Sequence, residues 1–315
     1  MFRYFGRRIA LMIITLFVVI TATFFLMNSM PGNPVSSQAK KLPKDVAKAM
    51  EQKYGLDKPI TERYILYLKN LLKGDLGESF VTPGVTVNDK IKDNFPASVR
   101  IGLGAVAVGL VVGVFLGVIA GFKRDTPIDF GVMIIAILGV SIPSFVLATL
   151  IQSFFGGTAG IPIAGWYDSS TPFLERFKFA ILPTIALSFG GIATYARYMR
   201  ASVLDVIGQD YILTAKAKGL SFRDISLKHI LRNSILPIVT ILGPQIATII
   251  TGTVVIERIF AVPGIGNALI DAIYTKDYNV IMGLTIFFSA LFILAILIVD
   301  ILYSLIDPRI KLGKS

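Results

Sequence analysis

The stretch Asp210-Tyr-Ile-Leu-Thr-Ala-Lys-Ala-Lys-Gly-Leu-Ser-Phe-Arg-Asp224 interrupts an otherwise strongly apolar sequence. From Arg197 to Arg232 the chain carries seven Lys or Arg and three Asp residues, with long apolar runs on both sides. Each ionised side chain costs about 2.5–3.5 kcal/mol at the centre of a bilayer, so the whole set would cost on the order of 25 kcal/mol in lipid. The charged stretch therefore lies in water, and the apolar runs around it are predicted to cross a membrane.

The composition of the chain supports a polytopic membrane protein, since 54% of its 315 residues are hydrophobic and only 16% are charged. A helix needs about 20 apolar residues to cross the hydrocarbon. Six charge-poor windows meet this requirement, namely 9–27, 101–121, 130–155, 179–196, 235–256 and 280–299. Lipid-exposed segments must satisfy their own backbone groups, and the alternation typical of a β-barrel is absent. The predicted fold class is therefore all-α integral membrane, with six transmembrane helices.

The basic residues orient these helices. With the amino terminus in the cytoplasm, 15 of the 31 Lys and Arg residues lie on the cytoplasmic side, and 12 of the other 16 lie between Lys40 and Arg100. Such a long external segment is exempt from the positive-inside rule. The first window lacks a cleavage pattern and exceeds a usual signal core, so it is predicted to be retained. We therefore expect a plasma or inner membrane protein with both termini in the cytoplasm.

The charged stretch is predicted to form two short helices. Asp210 is expected to cap the first, Lys216 and Lys218 lie in its last turn, and Gly219 supplies a left-handed terminus. Ser221-Phe-Arg-Asp224 has the pattern of a capping box that opens a second helix, which is predicted to run toward Asn233. Helix, glycine and helix would together form a structured unit in water.

Glycines at four-residue spacing mark one face of the second predicted span. Gly109, Gly113, Gly117 and Gly121 follow Ala105 at this interval, so small side chains form one stripe of that helix. Such a stripe lets a neighbouring helix approach closely. We predict a helix-packing role for these four glycines. Elsewhere, prolines are predicted to interrupt or kink three other spans, at positions Pro143, Pro183, Pro237 and Pro244.

Several function classes are disfavoured by the residue inventory. The net charge of +11 is spread over loops on both faces, which argues for anionic lipid and against nucleic acid as its partner. Cysteine is absent and His229 is the only histidine, so thiolate and multi-histidine metal sites are excluded. Asp129, Glu257 and Asp300 lie only at the edges of predicted spans, which argues against a proton- or sodium-coupled carrier. An intramembrane enzyme lacks paired carboxylates or an activated nucleophile.

The charged stretch resembles the cytoplasmic loop of the membrane-spanning subunits of ABC importers. That loop carries a short Ala-rich stretch, a glycine and a downstream Leu-Pro, which are here Thr214-Ala215, Gly219 and Leu236-Pro237. The separation between this glycine and this proline is long, and it is similar to that of the peptide and nickel branch of the family. Motifs along almost the whole chain extend the resemblance: Met30-Pro-Gly-Asn-Pro34, Tyr54-Gly-Leu-Asp-Lys-Pro59, Gly74-Asp-Leu-Gly77, Ser141-Ile-Pro-Ser-Phe145, Glu257-Arg-Ile-Phe260, Pro263-Gly-Ile-Gly266 and Asp307-Pro-Arg309.

The long segment after the first span looks like that of the B-type permease subunit of an oligopeptide or dipeptide importer. The resemblance implies the ABC type I importer fold, with residues 1–30 as the first span, 31–96 as an external segment, and 97–315 as a permease core. Within the core, residues 201–233 form the cytoplasmic coupling segment. In the external segment, helical spacing predicts helices at 45–54, with Val46, Met50 and Tyr54 on one face, and at 61–73, with Tyr64, Leu68, Leu71 and Leu72 on one side. A cap on the spans and a docking surface both remain open for it.

The same resemblance implies a non-catalytic subunit that works with other chains. These are a second homologous permease subunit, two cytoplasmic ATPases that hold ATP and magnesium, and an external peptide-binding protein; the chain itself holds no cofactor. Contact with an ATPase is expected from Tyr211, Thr214, Ala215, Ala217, Gly219, Leu220, Ser221, Arg232, Asn233 and Pro237. Oligopeptide is the expected cargo, with dipeptide, glutathione and nickel chelate as alternatives. A stand-alone channel or secondary carrier is the alternative of a different class.

A second candidate site follows the fifth predicted span. Glu257, Arg258, Phe260, Pro263, Gly264 and Gly266 are expected to shape an outer gate or to contact the binding protein. A plain connecting turn is the competing interpretation of this segment. No residue in the sequence points to direct contact with the cargo.

Overall fold

The computed structural model describes residues 2–30, 52, 55–252 and 254–306. These residues are mostly helical, and their only β-pairing is an isolated bridge between Glu78 and Thr86. The all-α prediction is therefore confirmed for the part described. The helices are α1 (Phe2–Ser29), α2 (Ile60–Leu72), α3 (Val87–Phe122), α4 (Pro127–Ser141), α5 (Ser144–Phe155), α6 (Phe173–Ile207), α7 (Asp210–Ala217), α8 (Phe222–Asp224), α9 (Arg232–Ser234), α10 (Leu236–Gly252), α11 (Val254–Ile259), α12 (Ile265–Thr275) and α13 (Tyr278–Ile306). A π-helical segment, Ile225–Leu231, joins α8 to α9.

Five of the described helical stretches are long and apolar enough to cross a membrane, and the number becomes six if the bent pair α4 and α5 counts as one span. The five are Gly6–Ser29, Val87–Phe122, Phe173–Ile207, Phe222–Leu242 and Tyr278–Ile298. The multi-pass prediction is confirmed at this level. The stretch from Phe222 to Leu242 begins inside the charged region, upstream of the predicted window 235–256, and α10 continues to Gly252.

The third predicted span is not one straight helix. α4 and α5 meet at an angle of 108°. Ile142 is extended at φ −84° and ψ 123°, because a following proline disfavours helical backbone at the residue before it. The interruption predicted at Pro143, within the window 130–155, is confirmed. Pro183 behaves differently, since it lies buried within α6, which continues past it.

The chain divides into two compact units. The first contains Met1–Pro96, Gly264–Leu294 and Ile306–Ser315, and the second contains Ala97–Pro263 and Ala295–Leu305.

In the first unit, α2 packs against α1. The hydroxyl groups of Thr21 and Tyr64 lie 2.7 Å apart, and Arg63 donates to the side-chain oxygen of Asn28. The predicted helix at 61–73 is thus present, but Leu72 does not share the packed side with Tyr64, because its side chain is 89% exposed. The helix predicted at 45–54 lies outside the described residues, as do Val46, Met50 and Tyr54.

Also in the first unit, Asp277 anchors the loop before α3. Its carboxylate is buried and accepts hydrogen bonds from the Ser79 hydroxyl at 2.5 Å and from the Phe80 amide at 3.1 Å. Asn279 donates to the Glu78 carbonyl at 2.9 Å. Asn279 in the first turn of α13 and Asp277 just before this helix therefore hold a loop about 200 positions earlier in the chain.

In the second unit, the glycine stripe of α3 lies directly against α6. A Cβ added at Gly117 would lie 2.5 Å from the Ala196 carbonyl oxygen, and one added at Gly113 would lie 2.7 Å from that of Ile192. At Gly121 the nearest atom would be Cγ1 of Val203 at 2.6 Å, while Gly109 faces Gly191 at 3.4 Å. Three of the four positions therefore have no room for a larger side chain without movement of α6.

Candidate functional site

The charged hairpin, defined here as residues 210–233, extends from the end of α6. That helix continues beyond its apolar part to Ile207, and Gly208 and Gln209 then separate it from α7. Gln209, in extended conformation, is the N-cap residue, and no side chain caps the first turn. The prediction that Asp210 caps this helix is therefore wrong by one position. Asp210 is the first helical residue, where its negative charge still interacts favourably with the positive end of the helix dipole.

Gly219 ends α7 as predicted. Its φ of +73° lies in the left-handed region, which most side chains avoid. The Gly219 amide donates to the Lys216 carbonyl at 3.0 Å, and the Leu220 amide donates to the Ala215 carbonyl at 3.3 Å. This pair of bonds is a Schellman motif, and it turns the chain sharply toward the second helix.

Ser221 caps the second helix, also as predicted. Its hydroxyl oxygen accepts from the Asp224 amide at 3.1 Å and donates to the Asp224 carboxylate at 2.6 Å. Lys228 pairs with the same carboxylate at 2.6 Å. The helix does not end near Asn233, however, but continues through α9 to the start of α10. No glycine stops it there, and Pro237 lies in the first turn of α10, where a missing N–H is tolerated.

One face of the hairpin packs on α6. Ile212, Ala215, Ile225 and Ile230 are buried in a cluster with side chains of α6 and α10, namely Tyr195, Met199, Val203 and Ile238. The Ser234 hydroxyl donates to the Ser202 carbonyl at 3.3 Å, and Asn233 donates to the Tyr211 hydroxyl at 3.1 Å. The hairpin is thus a rigid continuation of the helices that it joins.

The other face presents apolar side chains among the charges. Phe222 is 73% exposed and Leu213 is 58% exposed, and Tyr211, Leu220 and Leu227 are also exposed. Large apolar side chains exposed in a charged segment are typical of a contact surface. Leu213, Phe222 and Leu227 lie within the predicted coupling segment but were not among the ten residues predicted to contact an ATPase. Their size within a charged stretch was the signal that could have identified them.

The ten predicted coupling residues separate by burial. Exposed positions are Tyr211, Thr214, Ala217, Gly219, Leu220, Ser221, Arg232 and Asn233, while Pro237 is half-buried. Ala215 is buried in the contact between α7 and α6. It therefore supports the hairpin from inside and is not available to another protein in this conformation.

The second candidate segment, unlike the outer face of the hairpin, is mostly buried. Glu257 is fully buried, and its carboxylate accepts a hydrogen bond from the Ser98 hydroxyl at 2.6 Å. Phe260 is also buried, and its carbonyl accepts from the Gly165 amide at 2.8 Å. The neighbouring Ile259 carbonyl accepts from the Gln152 amide group at 2.9 Å. Residues 257–262 are therefore held inside the second unit by contacts with α3, α5 and the loop before α6.

The remaining predicted residues of this segment differ in exposure. Arg258 and Pro263 are exposed, whereas Gly264 and Gly266 are buried. Gly264 is the N-cap residue of α12 and has an extended backbone at φ −93°. Of the six, only Arg258 and Pro263 are placed to meet another molecule.

Residues 113–312 match the family of binding-protein-dependent transport system inner membrane components, and residues 1–102 match the N-terminal part of the same type of component. The chain belongs to this family. The permease is 43% identical to the dipeptide transport system permease protein DppB of Bacillus subtilis over the full length of both chains. It is 41% identical to the oligopeptide transport system permease protein OppB of Salmonella typhimurium, with 99% of this chain and 100% of the relative covered. The permease is thus a non-catalytic membrane component of a transport system.

Proposed function

We propose that the permease forms half of the pathway of an ABC importer that takes up oligopeptides. A second homologous permease subunit would form the other half, and two ATPase subunits would bind ATP and magnesium. An external binding protein would deliver the cargo. Full-length similarity to permeases named for dipeptide and oligopeptide transport supports this assignment. Six spans and cytoplasmic termini are part of the proposal, and the basic residues of the charged hairpin support that orientation.

The observation that carries the proposal is the two-sided construction of the charged hairpin. Its buried face joins α6 to α10 through Ile212, Ile225 and Ile230. Its exposed face offers Leu213 and Phe222 among lysines and arginines. A helical ridge with apolar anchors suits a groove on a partner protein. Closure of an ATPase pair would then move two spans at once, so that nucleotide binding changes which side of the membrane the pathway faces.

Residues 257–262 have a supporting part in this proposal. The buried Glu257 carboxylate binds Ser98 of α3, and the Phe260 carbonyl binds the loop before α6. Such links would make the segment a shaped wall of an outer gate. Contact with the binding protein would be limited to Arg258 and Pro263.

A cysteine cross-link tests the ATPase contact. The chain contains no cysteine, so Leu213→Cys and Phe222→Cys each introduce a single thiol into this subunit. We expect both variants to be captured by an ATPase partner in membranes that contain the whole transporter. Ser170→Cys, at another exposed position outside the hairpin, is the matched control and should not be captured.

Transport by purified components tests the function itself. Uptake of labelled peptides into liposomes should require the second permease subunit, the ATPases, ATP and the binding protein. Uptake by this chain alone would contradict the proposal and favour a channel or carrier. Competition by dipeptides, oligopeptides, glutathione and nickel chelates identifies the cargo, and competition by glutathione or nickel chelate without peptide would overturn the peptide assignment.

A further inference from the structure

A largely buried ion pair joins the third and fourth predicted spans of the chain, within the second unit. Nε of Arg200 lies 2.5 Å from one carboxylate oxygen of Asp129, and Nη2 lies 2.6 Å from the other. The Asp125 amide also donates to this carboxylate, at 3.1 Å. The Asp129 side chain is only 2% exposed and that of Arg200 is 26% exposed. A two-point contact of this kind fixes both the separation and the orientation of its partners.

The pair lies beside the base of the charged hairpin. Arg200 is on α6 between Met199 and Val203, and both neighbours are buried in the cluster that supports the hairpin. Asp129 lies in the first turn of α4. The link therefore connects α4 to the part of α6 that is packed directly against the hairpin.

Apart from Asp129, the buried side chains of α4 at its contact with α6 are small or aliphatic. The buried contributions of α4 are Val132, Ala136 and Gly139, and a Cβ at Gly139 would lie 3.0 Å from that of Ala193. Small side chains allow close approach but offer few ridges that oppose sliding. Buried polar pairs are best attested as devices that select one register between helices. Asp129 and Arg200 are placed to do this at the end of α4 nearest the hairpin base.

We propose that Asp129 and Arg200 are positioning residues that lock the register of α4 on α6, so that movement of the charged hairpin is passed to the third span. This inference rests on the proposed function, since it assumes that an ATPase moves the hairpin. The 108° bend between α4 and α5 strengthens the case. Because a broken helix transmits displacement poorly along its axis, α4 must be held to α6 directly.

The test uses the complete transporter in liposomes and measures ATP hydrolysed per peptide taken up, for each assembled complex. Asp129→Asn and Arg200→Gln remove one charge each, and the double variant D129N/R200Q removes both. We expect all three to raise the ATP cost per peptide by about three- to tenfold. The single variants leave one buried charge unpaired and should also assemble poorly, whereas the double variant should assemble better than either because no unpaired charge remains.

Matched controls lie on the same elements. Arg197→Gln changes an exposed arginine one turn away on α6, and Lys123→Gln changes an exposed lysine in the turn before α4. Both should keep the wild-type ratio of ATP to peptide.

The outcomes separate two kinds of failure. If wild-type complexes take up peptide in an ATP-dependent way and the double variant keeps the wild-type ratio, the pair is only a structural contact and the inference is overturned. If wild-type complexes show no ATP-dependent uptake, the proposed function is overturned instead. A raised ratio in the double variant, with wild-type ratios in both controls, supports the register lock.

Discussion

The charged hairpin and residues 257–262 both carry sequence motifs that predicted a functional site. The motif residues are mostly exposed in the hairpin and mostly buried in residues 257–262. In the hairpin, most of the predicted coupling residues are exposed. Its buried face consists mainly of aliphatic side chains such as Ile212 and Ile225. In residues 257–262, the conspicuous Glu257 and Phe260 are buried and bonded to the interior. Under the proposed function, the outward-facing motif binds a partner, whereas the inward-facing motif holds the fold. Variants should therefore affect partner binding in the first segment and folding in the second.

The largest expected effect comes from Glu257→Lys. A buried carboxylate would be replaced by a buried cation beside the Ser98 hydroxyl, which should destabilise the protein by about 3–5 kcal/mol. The yield of folded protein in detergent and its thermal unfolding measure this. Arg223→Glu, at an exposed position of the charged hairpin, should change stability by less than about 0.5 kcal/mol. Equal losses at the two positions would remove the distinction between the segments.

Ala215 and Ala217 test the same distinction within one helix. Ala215→Leu should overpack the contact with α6 and destabilise the hairpin by about 1–3 kcal/mol. Ala217→Leu, two positions later and exposed, should leave stability unchanged and weaken only ATPase association. Limited proteolysis of the hairpin and co-purification with the ATPase separate the two effects. The interpretation of Ala215 as an internal support fails if both variants behave alike.

Leu213→Asp should weaken ATPase association by about 20-fold, because it places a charge at an apolar anchor of the contact surface. Thermal stability should not change, since the side chain is 58% exposed. Leu72→Asp, at an exposed position on α2, is the control and should leave ATPase binding intact. Titration of the purified ATPase against the permease in nanodiscs measures the effect. Undiminished binding by Leu213→Asp would argue against this face as the contact.

Gly219→Val should destabilise the fold by only about 1–2 kcal/mol, because a β-branched residue is strained at φ +73° although no atom lies within 4 Å of an added Cβ. The turn between the hairpin helices would change direction, so uptake should fall more than ATP hydrolysis while membrane insertion is kept. Gly219→Asn tolerates left-handed backbone better and should retain more uptake. Unchanged transport by Gly219→Val would refute its role as a pivot.

Local chemistry was sufficient to predict the turn between the two hairpin helices. The helix-ending Gly219 and the capping Ser221 depend on residues within a few positions, and both were predicted correctly. The clearest omission arose where a contact between residues far apart in the sequence decides the structure. Asp210 is one position inside its helix, and Leu72 faces away from the packed side of α2. Asp129 was placed at the edge of a span, but its partner Arg200 lies 71 residues later and no periodicity links them.

The amino-acid sequence by itself determined that this chain is a multi-pass helical membrane protein with a charged hairpin in water, because the cost of placing charge in lipid depends on composition and length alone. It also determined the turn between the two hairpin helices, since the left-handed Gly219 and the capping Ser221 act locally. Only the tertiary structure decided which side chains of each motif are exposed and which face the interior. Burial depends on elements far apart in the chain, as the contacts of Ala215 with α6 and of Glu257 with Ser98 show.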